Sequence, residues 1–381
     1  MKASKTKKGQ NMLNKQTRLI VSLLFFGMIV LAVAITRFYS RAEKSPTNTN
    51  SKNDIEKPTI SGDDNGNHTF KVSDDKNAGL VGIIDSNGHI LVPPEWSTIK
   101  FTRNKDRCIA SKNIGGKIMT GCIDYEGNIV VPFIYSDISE NSCPERVLYF
   151  AKTQDSGKEK TFVYDINFNP CFYEAWDKCD LNHDNSELEL ELGNDKYTYF
   201  VKNSSFIFKE AELHGSCLGK SYTTKINASG LTFSMMEKIS STIGKYVEYA
   251  FSNEAEGRKL LSDIDRAPEN SFRRLFHDEK IITDRKLMSI NNVVVESKDS
   301  DDGIPHYTAS FTAKSEIMFM DSEDEPNKLT DAYTAVVEFA GSSAKDLKAV
   351  SGKFTEEKPD YSKAEIKKRT EDQPDAVPQE N

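Results

Sequence analysis

GIIDSNGHILVPPEWSTI, residues 82–99, is followed thirty-nine residues on by GCIDYEGNIVVPFIYSDI, residues 121–138. Nine of the eighteen aligned positions are identical, against about one for unrelated sequence of average composition. Each phrase reads as the same succession of local structures. Ile84-Asp85 and Ile123-Asp124 close one strand. Ser86-Asn87-Gly88 and Tyr125-Glu126-Gly127 are tight-turn residues, with glycine supplying a positive φ. Ile90 and Val92, or Ile129 and Val131, then alternate inward, and Pro93 or Pro132 halts pairing because proline has no amide to donate. An aromatic residue closes the phrase eleven positions after the aspartate: Trp96 after Asp85, Tyr135 after Asp124.

The interval returns a third time at Asp165 and Trp176, where Phe168 replaces the glycine and Tyr173 the proline. A strand is also expected upstream, since Phe70, Ile109 and Phe150 each lie fifteen residues before their aspartate. The predicted unit is three short strands repeating every 39 to 41 residues. A fourth, eroded unit is expected within YTYFVKNSSFIFKE, residues 197–210. Periods of this size mark arrays in which each unit buries its face against the next.

The pattern G-x-I-D-x-x-G-x-I-x-V-P-x-x-aromatic-x-x-I resembles the WG-repeat (KWG) family of bacterial β-repeat modules. Its signature positions here are Gly82, Asp85, Gly88, Pro93 and Trp96, then Gly121, Asp124, Gly127, Pro132 and Tyr135, then Asp165 and Trp176. The family's Trp-Gly pair is absent, because Val81 and Thr120 precede the two glycines. The resemblance implies a β-rich array that is extracytoplasmic or protein-binding, and it brings no catalytic residues.

The net charge of −8 is unevenly spread. Residues 1–18 hold six basic side chains and no acidic ones, which leaves 44 basic against 58 acidic, or −14, for the rest. So acidic a body repels phosphate, and no nucleic-acid partner is expected. Leu19–Ile35 is uncharged for seventeen residues. It predicts a single transmembrane helix over 19–36, with the basic tail 1–18 in the cytoplasm and the bulk outside. A cleaved signal peptide ending near Ser40-Arg41-Ala42 is the alternative. Beyond it the expected organisation is a flexible linker 37–65, a WG-type β-repeat domain 66–212, an α+β cone-like domain 229–355 and a disordered tail 356–381.

In the 229–355 region, Leu231, Met236, Ile239, Ile243, Val247 and Ala250 follow the spacing of an amphipathic helix. Two shorter helices are expected at Arg258–Ile264 and Ser271–His277. About four alternating strands follow, including 287–296, those around Tyr307–Ala313 and Tyr333–Phe339, and 349–354, with DSEDEPN at the central hairpin tip. This layout resembles the cone fold of nuclear transport factor two-like domains, which type IV secretion assembly proteins also carry. The expected fold class is therefore α+β and multi-domain: an N-terminal transmembrane helix, an antiparallel β-repeat domain, and C-terminal helices plus a curved antiparallel sheet.

Candidate chemistry is sparse. Asp180, Asn182, Asp184 and Glu191 fit positions 1, 3, 5 and 12 of a calcium loop, but Asn185 stands where glycine is needed and LELEL reads as a strand. The six histidines show no metal-ligand spacing, and no nucleophile elbow or phosphate loop occurs. Asp85 and Asp124 are the right type for acid–base work, yet their recurrence before a turn points to side-chain capping. Tyr307, Phe311, Tyr333 and Phe339 read as core, with a pocket lining as the alternative. Cys108 and Cys122 flank a turn centred on Asn113–Gly116 and are expected to oppose one another closely enough for a disulfide. No catalytic residue, metal or cofactor is assigned. The expected function is a membrane-anchored, extracytoplasmic binding or scaffolding protein of the bacterial envelope, whose partners are the membrane and other envelope proteins. An assembly subunit of a secretion or conjugation system, and a hydrolase or isomerase using the C-terminal cone, are the alternatives.

Overall fold

A near-continuous run of buried residues distinguishes a strand covered on both faces from one with a wet side. Cys108–Ser111 and Thr120–Ile123 are such runs, and they sit at the centre of the repeats. The structure is a computed structural model that describes residues 62–72, 79–251, 276–277, 280–320, 326–356 and 365–366. The chain divides into two units, Met1–Gly193 with Phe200–Phe206, and Asn194–Tyr199 with Ile207–Asn381.

The first unit holds three antiparallel sheets. The first is β1 (His68–Lys71), β2 (Val81–Ile84) and β3 (Ile90–Trp96). The second is β4 (Thr98–Phe101), β5 (Arg107–Ile114), β6 (Lys117–Asp124) and β7 (Ile129–Tyr135). The third is β8 (Asp137–Ser142), β9 (Val147–Asp155) and β10 (Lys158–Tyr164). Beyond them β11 (Lys178–Asn182) pairs with β12 (Glu187–Leu192). The expected upstream strands are present, with Phe70 in β1, Ile109 in β5 and Phe150 in β9.

In every repeat a strand that was not expected follows the closing aromatic, the fourth of its repeat in the first two copies. After Trp96, Tyr135 and Trp176 a single residue intervenes (Ser97, Ser136, Asp177), and then β4, β8 and β11 begin. These strands pair with β5, β9 and β12, so the chain crosses from one sheet into the next at the aromatic residue. That is why the aromatic recurs: it stands at the corner between two sheets. Trp96, Tyr135 and Trp176 are all buried, and such side chains each remove about 150–250 Å² from water.

The middle sheet is covered on both faces. Cys108, Ala110, Ile123 and Phe133 pack with Val81, Ile83, Val92 and Trp96 of the first sheet. Ile109, Cys122, Val131 and Tyr135 pack with Tyr149, Ala151, Phe162 and Tyr164 of the third. Phe133 stacks on Trp96 with ring centroids 4.9 Å apart. One repeat alone would leave half of this apolar surface in water.

The same register corrects the disulfide. The hairpin turns at Gly115-Gly116, so Cys108 lies opposite Ile123 and Cys122 opposite Ile109. The pairing is shifted by one position from the one that would oppose the two cysteines, and a shift of one puts their side chains on opposite faces. The two thiols belong to different cores and are unbridged.

The second unit corrects the fold class. It contains the one α-helix among the described residues, α1 (Phe233–Phe251), and the described chain as a whole is mainly strand rather than α+β. In chain order the unit also holds β13 (Asp195–Val201) in part, most of β14 (Phe206–Cys217), β15 (Lys220–Ile226), β16 (Phe276–His277), β17 (Lys280–Lys298), β18 (His306–Met320), β19 (Pro326–Ala340), β20 (Lys348–Glu356) and β21 (Glu365–Ile366). Phe276–His277, expected at the end of a helix, is a short strand on β17; the helix expected at Arg258–Ile264 lies outside the described residues. No helix among the described residues is long and apolar enough to cross a membrane, and the span expected at 19–36 also lies outside them.

The amphipathic pattern does become α1. Leu231, Met236, Ile239, Ile243, Val247 and Ala250 are all buried. Thr232 starts the helix, its carbonyl accepting from the Met236 amide at 3.0 Å and its hydroxyl facing the Met235 amide at 3.4 Å. The chain then returns to pair β17 parallel to β15, Thr224 opposite Val293, as a crossover helix permits. The four expected strands run antiparallel in sequence order, β17 to β20. Tyr222 donates to the Ser240 carbonyl at 2.8 Å, and a Cβ on Gly244 would stand 2.8 Å from that phenolic oxygen, so glycine lets helix and strand approach.

Candidate functional site: the recurring aspartate turns

Among the described residues, the polar arrangement that recurs from repeat to repeat is the turn that each aspartate opens. Oδ1 of Asp85 accepts from the amides of Asn87 and His89, both at 2.8 Å. Oδ1 of Asp124 accepts from Glu126 at 3.0 Å and Asn128 at 2.8 Å, and Asn128 Nδ2 donates to Oδ2 at 2.9 Å. Asp165 repeats this with Asn167 and Asn169, at 2.8, 2.8 and 3.1 Å. In each turn the aspartate amide donates to the carbonyl four residues on, at 2.9 to 3.0 Å. The residue in the left-handed position is Gly88 at φ 84°, Gly127 at 79° and Phe168 at 61°.

A further copy was not foreseen. Asp63 accepts from the amides of Asn65 at 2.8 Å and Asn67 at 2.9 Å, and from Asn67 Nδ2 at 2.8 Å, with Gly66 at φ 80°. The turn lies partly within the stretch read as linker. Its signal was present as Asp63-Asp64-Asn65-Gly66 beside Asp85-Ser86-Asn87-Gly88, but no proline or aromatic follows at the repeat spacing.

These carboxylates are committed to backbone. The His89 amide, chiefly, holds the Asp85 carboxyl below the usual carboxylate range. Burial would raise the Asp63 carboxyl, but the Tyr125 hydroxyl and the turn amides outweigh it and bring it below that range. An oxygen that already accepts two amide bonds is a poor general base, because protonating it breaks the turn.

Gly82 and Gly121 serve a different need. A Cβ there would lie 2.5 Å from the Val92 carbonyl oxygen and 2.6 Å from that of Val131. Both glycines sit in a bulge, where pairing skips from Ile83–Val92 to Val81–Trp96 and from Cys122–Val131 to Thr120–Tyr135. Pro93 and Pro132 occupy the bulged side, where no ladder amide is needed, and pairing resumes at the aromatic. In the third copy Phe162 holds the glycine's position, and no continuous third strand forms. Only the bridges Thr161–Trp176 and Tyr164–Pro170 remain.

The other candidates resolve as structure. Asp180 and Glu191 lie on strands opposite Glu189 and Lys178, so the calcium-loop spacing spans a hairpin. No group of acidic, histidine and cysteine side chains fit to hold a metal occurs among the described residues. Tyr307, Phe311, Tyr333 and Phe339 are each 1–2% exposed and form core. Burial pushes the Cys108 thiol up to about 12, and Cys122 higher still, so both stay protonated. A protonated, buried thiol is a poor nucleophile.

Comparison with known proteins agrees with the repeat. Residues 82–115 and 121–144 match the family described as "WG containing repeat". The chain carries WG-type β repeats. No curated protein matches it. Among solved structures, one described as "Crystal structure of the eukaryotic initiation factor" is similar at 8% identity, covering 84% of this chain and 92% of that one, with a TM-score of 0.20. So low a score carries no argument.

Proposed function

We propose that this chain is a non-enzymatic binding or scaffolding protein that works outside the cytoplasm at the bacterial envelope, with its WG-type array as the interaction platform. The observation that carries the reading is the use of every recurring carboxylate, Asp63, Asp85, Asp124 and Asp165, inside its own turn. What the repeats then leave for function is surface, varied from copy to copy on a constant frame. The basic start of the chain followed by the uncharged Leu19–Ile35 supports the location. The test is cross-linking and pull-down from native membranes, combined with proximity labelling. The expected result is recovery of a reproducible envelope protein cross-linked to residues of the repeat unit. Labelling confined to cytoplasmic proteins contradicts the location, and turnover of a small substrate lost with one side-chain change contradicts the non-enzymatic role.

A further inference from the structure

The β5–β6 hairpin ends in a tip that its own fold does not require. Ile114 and Ile118 are 45% and 53% exposed, either side of the Gly115-Gly116 turn. Ile114 lies opposite Lys117 and Ile118 opposite Asn113, so the two isoleucines stand on opposite faces of the ribbon. The corresponding hairpin of the next repeat, β9–β10, turns at Ser156-Gly157 with Asp155 opposite Lys158 and Gln154 opposite Glu159. Superposing the two ladders puts Asp155 where Ile114 stands and Glu159 where Ile118 stands. The same turn therefore folds with carboxylates, and the isoleucines are an addition in one copy.

The charges change with them. Residues 107–123 carry Arg107, Lys112 and Lys117 and no carboxylate, in a chain of net charge −8. Lys112 Nζ is held 4.8 Å from the Phe133 ring centroid and 5.4 Å from that of Trp96, behind the tip. A wedge with apolar side chains on both faces suits a medium that closes around it. A bilayer does so, whereas a protein would have to supply a cleft for each face. Lys112, one rung behind Asn113 and Ile118, would lie at headgroup depth, and Lys117, on the outermost rung opposite Ile114, would reach back to the same depth along its apolar stem.

We propose that the tip Asn113–Ile118 inserts shallowly into an anionic lipid surface. The test uses the full chain in phosphatidylglycerol–phosphatidylcholine vesicles, with Ile118→Trp as reporter and Glu159→Trp as the matched control. Trp96 and Trp176 are buried, so wild-type emission supplies the background. The readout is the depth of the added indole, so attachment through Leu19–Ile35 does not register. The expected result is a shift of the position-118 emission to shorter wavelength, with quenching by brominated acyl chains. The position-159 indole stays in water, and Lys112→Gln with Lys117→Gln reduces the shift. Emission at 118 that vesicles leave unchanged overturns the proposal, as does an equal shift in pure phosphatidylcholine, or a shift that tracks self-association without lipid.

Discussion

The Tyr125 hydroxyl donates a 2.6 Å hydrogen bond to Oδ2 of Asp63, tying one repeat's turn to an aspartate turn 62 residues upstream. Burial and this carboxylate together push the Tyr125 phenol above its usual range, so it remains a donor. Tyr125→Phe is expected to cost about 1.5–3 kcal/mol in urea unfolding, the usual range for a lost hydrogen bond to a charged group. The Asp63 carboxyl is held low in the folded state. Its contribution is complete above the unfolded pKa of about 3.9 and is lost as pH falls through the folded value. Wild type should therefore lose more stability than Asp63→Asn on acidification below about pH 4. Equal losses would show that the bond does not stabilise the fold.

Gly82→Ala is expected to destabilise by about 2 kcal/mol or more, because the methyl would meet the Val92 carbonyl oxygen at 2.5 Å and backbone must move. Gly88→Ala meets nothing within 4 Å and strains only the positive φ, for about 1 kcal/mol. Thermal unfolding of both variants should rank them in that order.

Tyr135 and Tyr164 share a buried hydrogen bond, oxygen to oxygen 2.6 Å. Removing one hydroxyl leaves the other without its partner in a dry core, at about 1–3 kcal/mol. Removing both takes away the unmet group. The double Phe variant should be less destabilised than the sum of the two single ones, and a strictly additive cycle would contradict the coupling.

The cysteine pair offers a chemical check. Peptide mapping without reductant should find Cys108 and Cys122 as thiols, modified by iodoacetamide only after unfolding, because both are buried and protonated. A disulfide-linked peptide joining them would contradict the register of β5 and β6.

The repeat was legible because its turn, bulge and corner each demand a particular residue: aspartate, glycine, an aromatic. Asp85, Gly82 and Trp96 announce themselves on that account. The strand after the aromatic was not legible, since TIKF, DISENS and KCDLN share no residue beyond short alternation. Which face Cys108 takes depends on a turn centre known only to within one residue, and one residue is the whole difference. Helix α1 followed from six apolar residues at helical spacing. The neighbouring sheet face, read as a pocket or a core, is core because α1 and aromatic pairs such as Phe311–Phe354 fill it. The candidate site itself was half legible: aspartate before a turn was correctly a capping residue, but the Asp63 copy lacks the landmarks downstream that made the others visible.

The claim that repeats stack so that the middle sheet is buried on both faces has a direct measure in amide hydrogen exchange of the full chain. Strands β5 and β6 should be the slowest-exchanging part of the repeat unit, and Trp96→Ala should speed exchange in both although neither contains the substituted residue. Exchange in β5 and β6 as fast as in the edge strand β4, or a Trp96→Ala effect confined to β3, would contradict the stacked array.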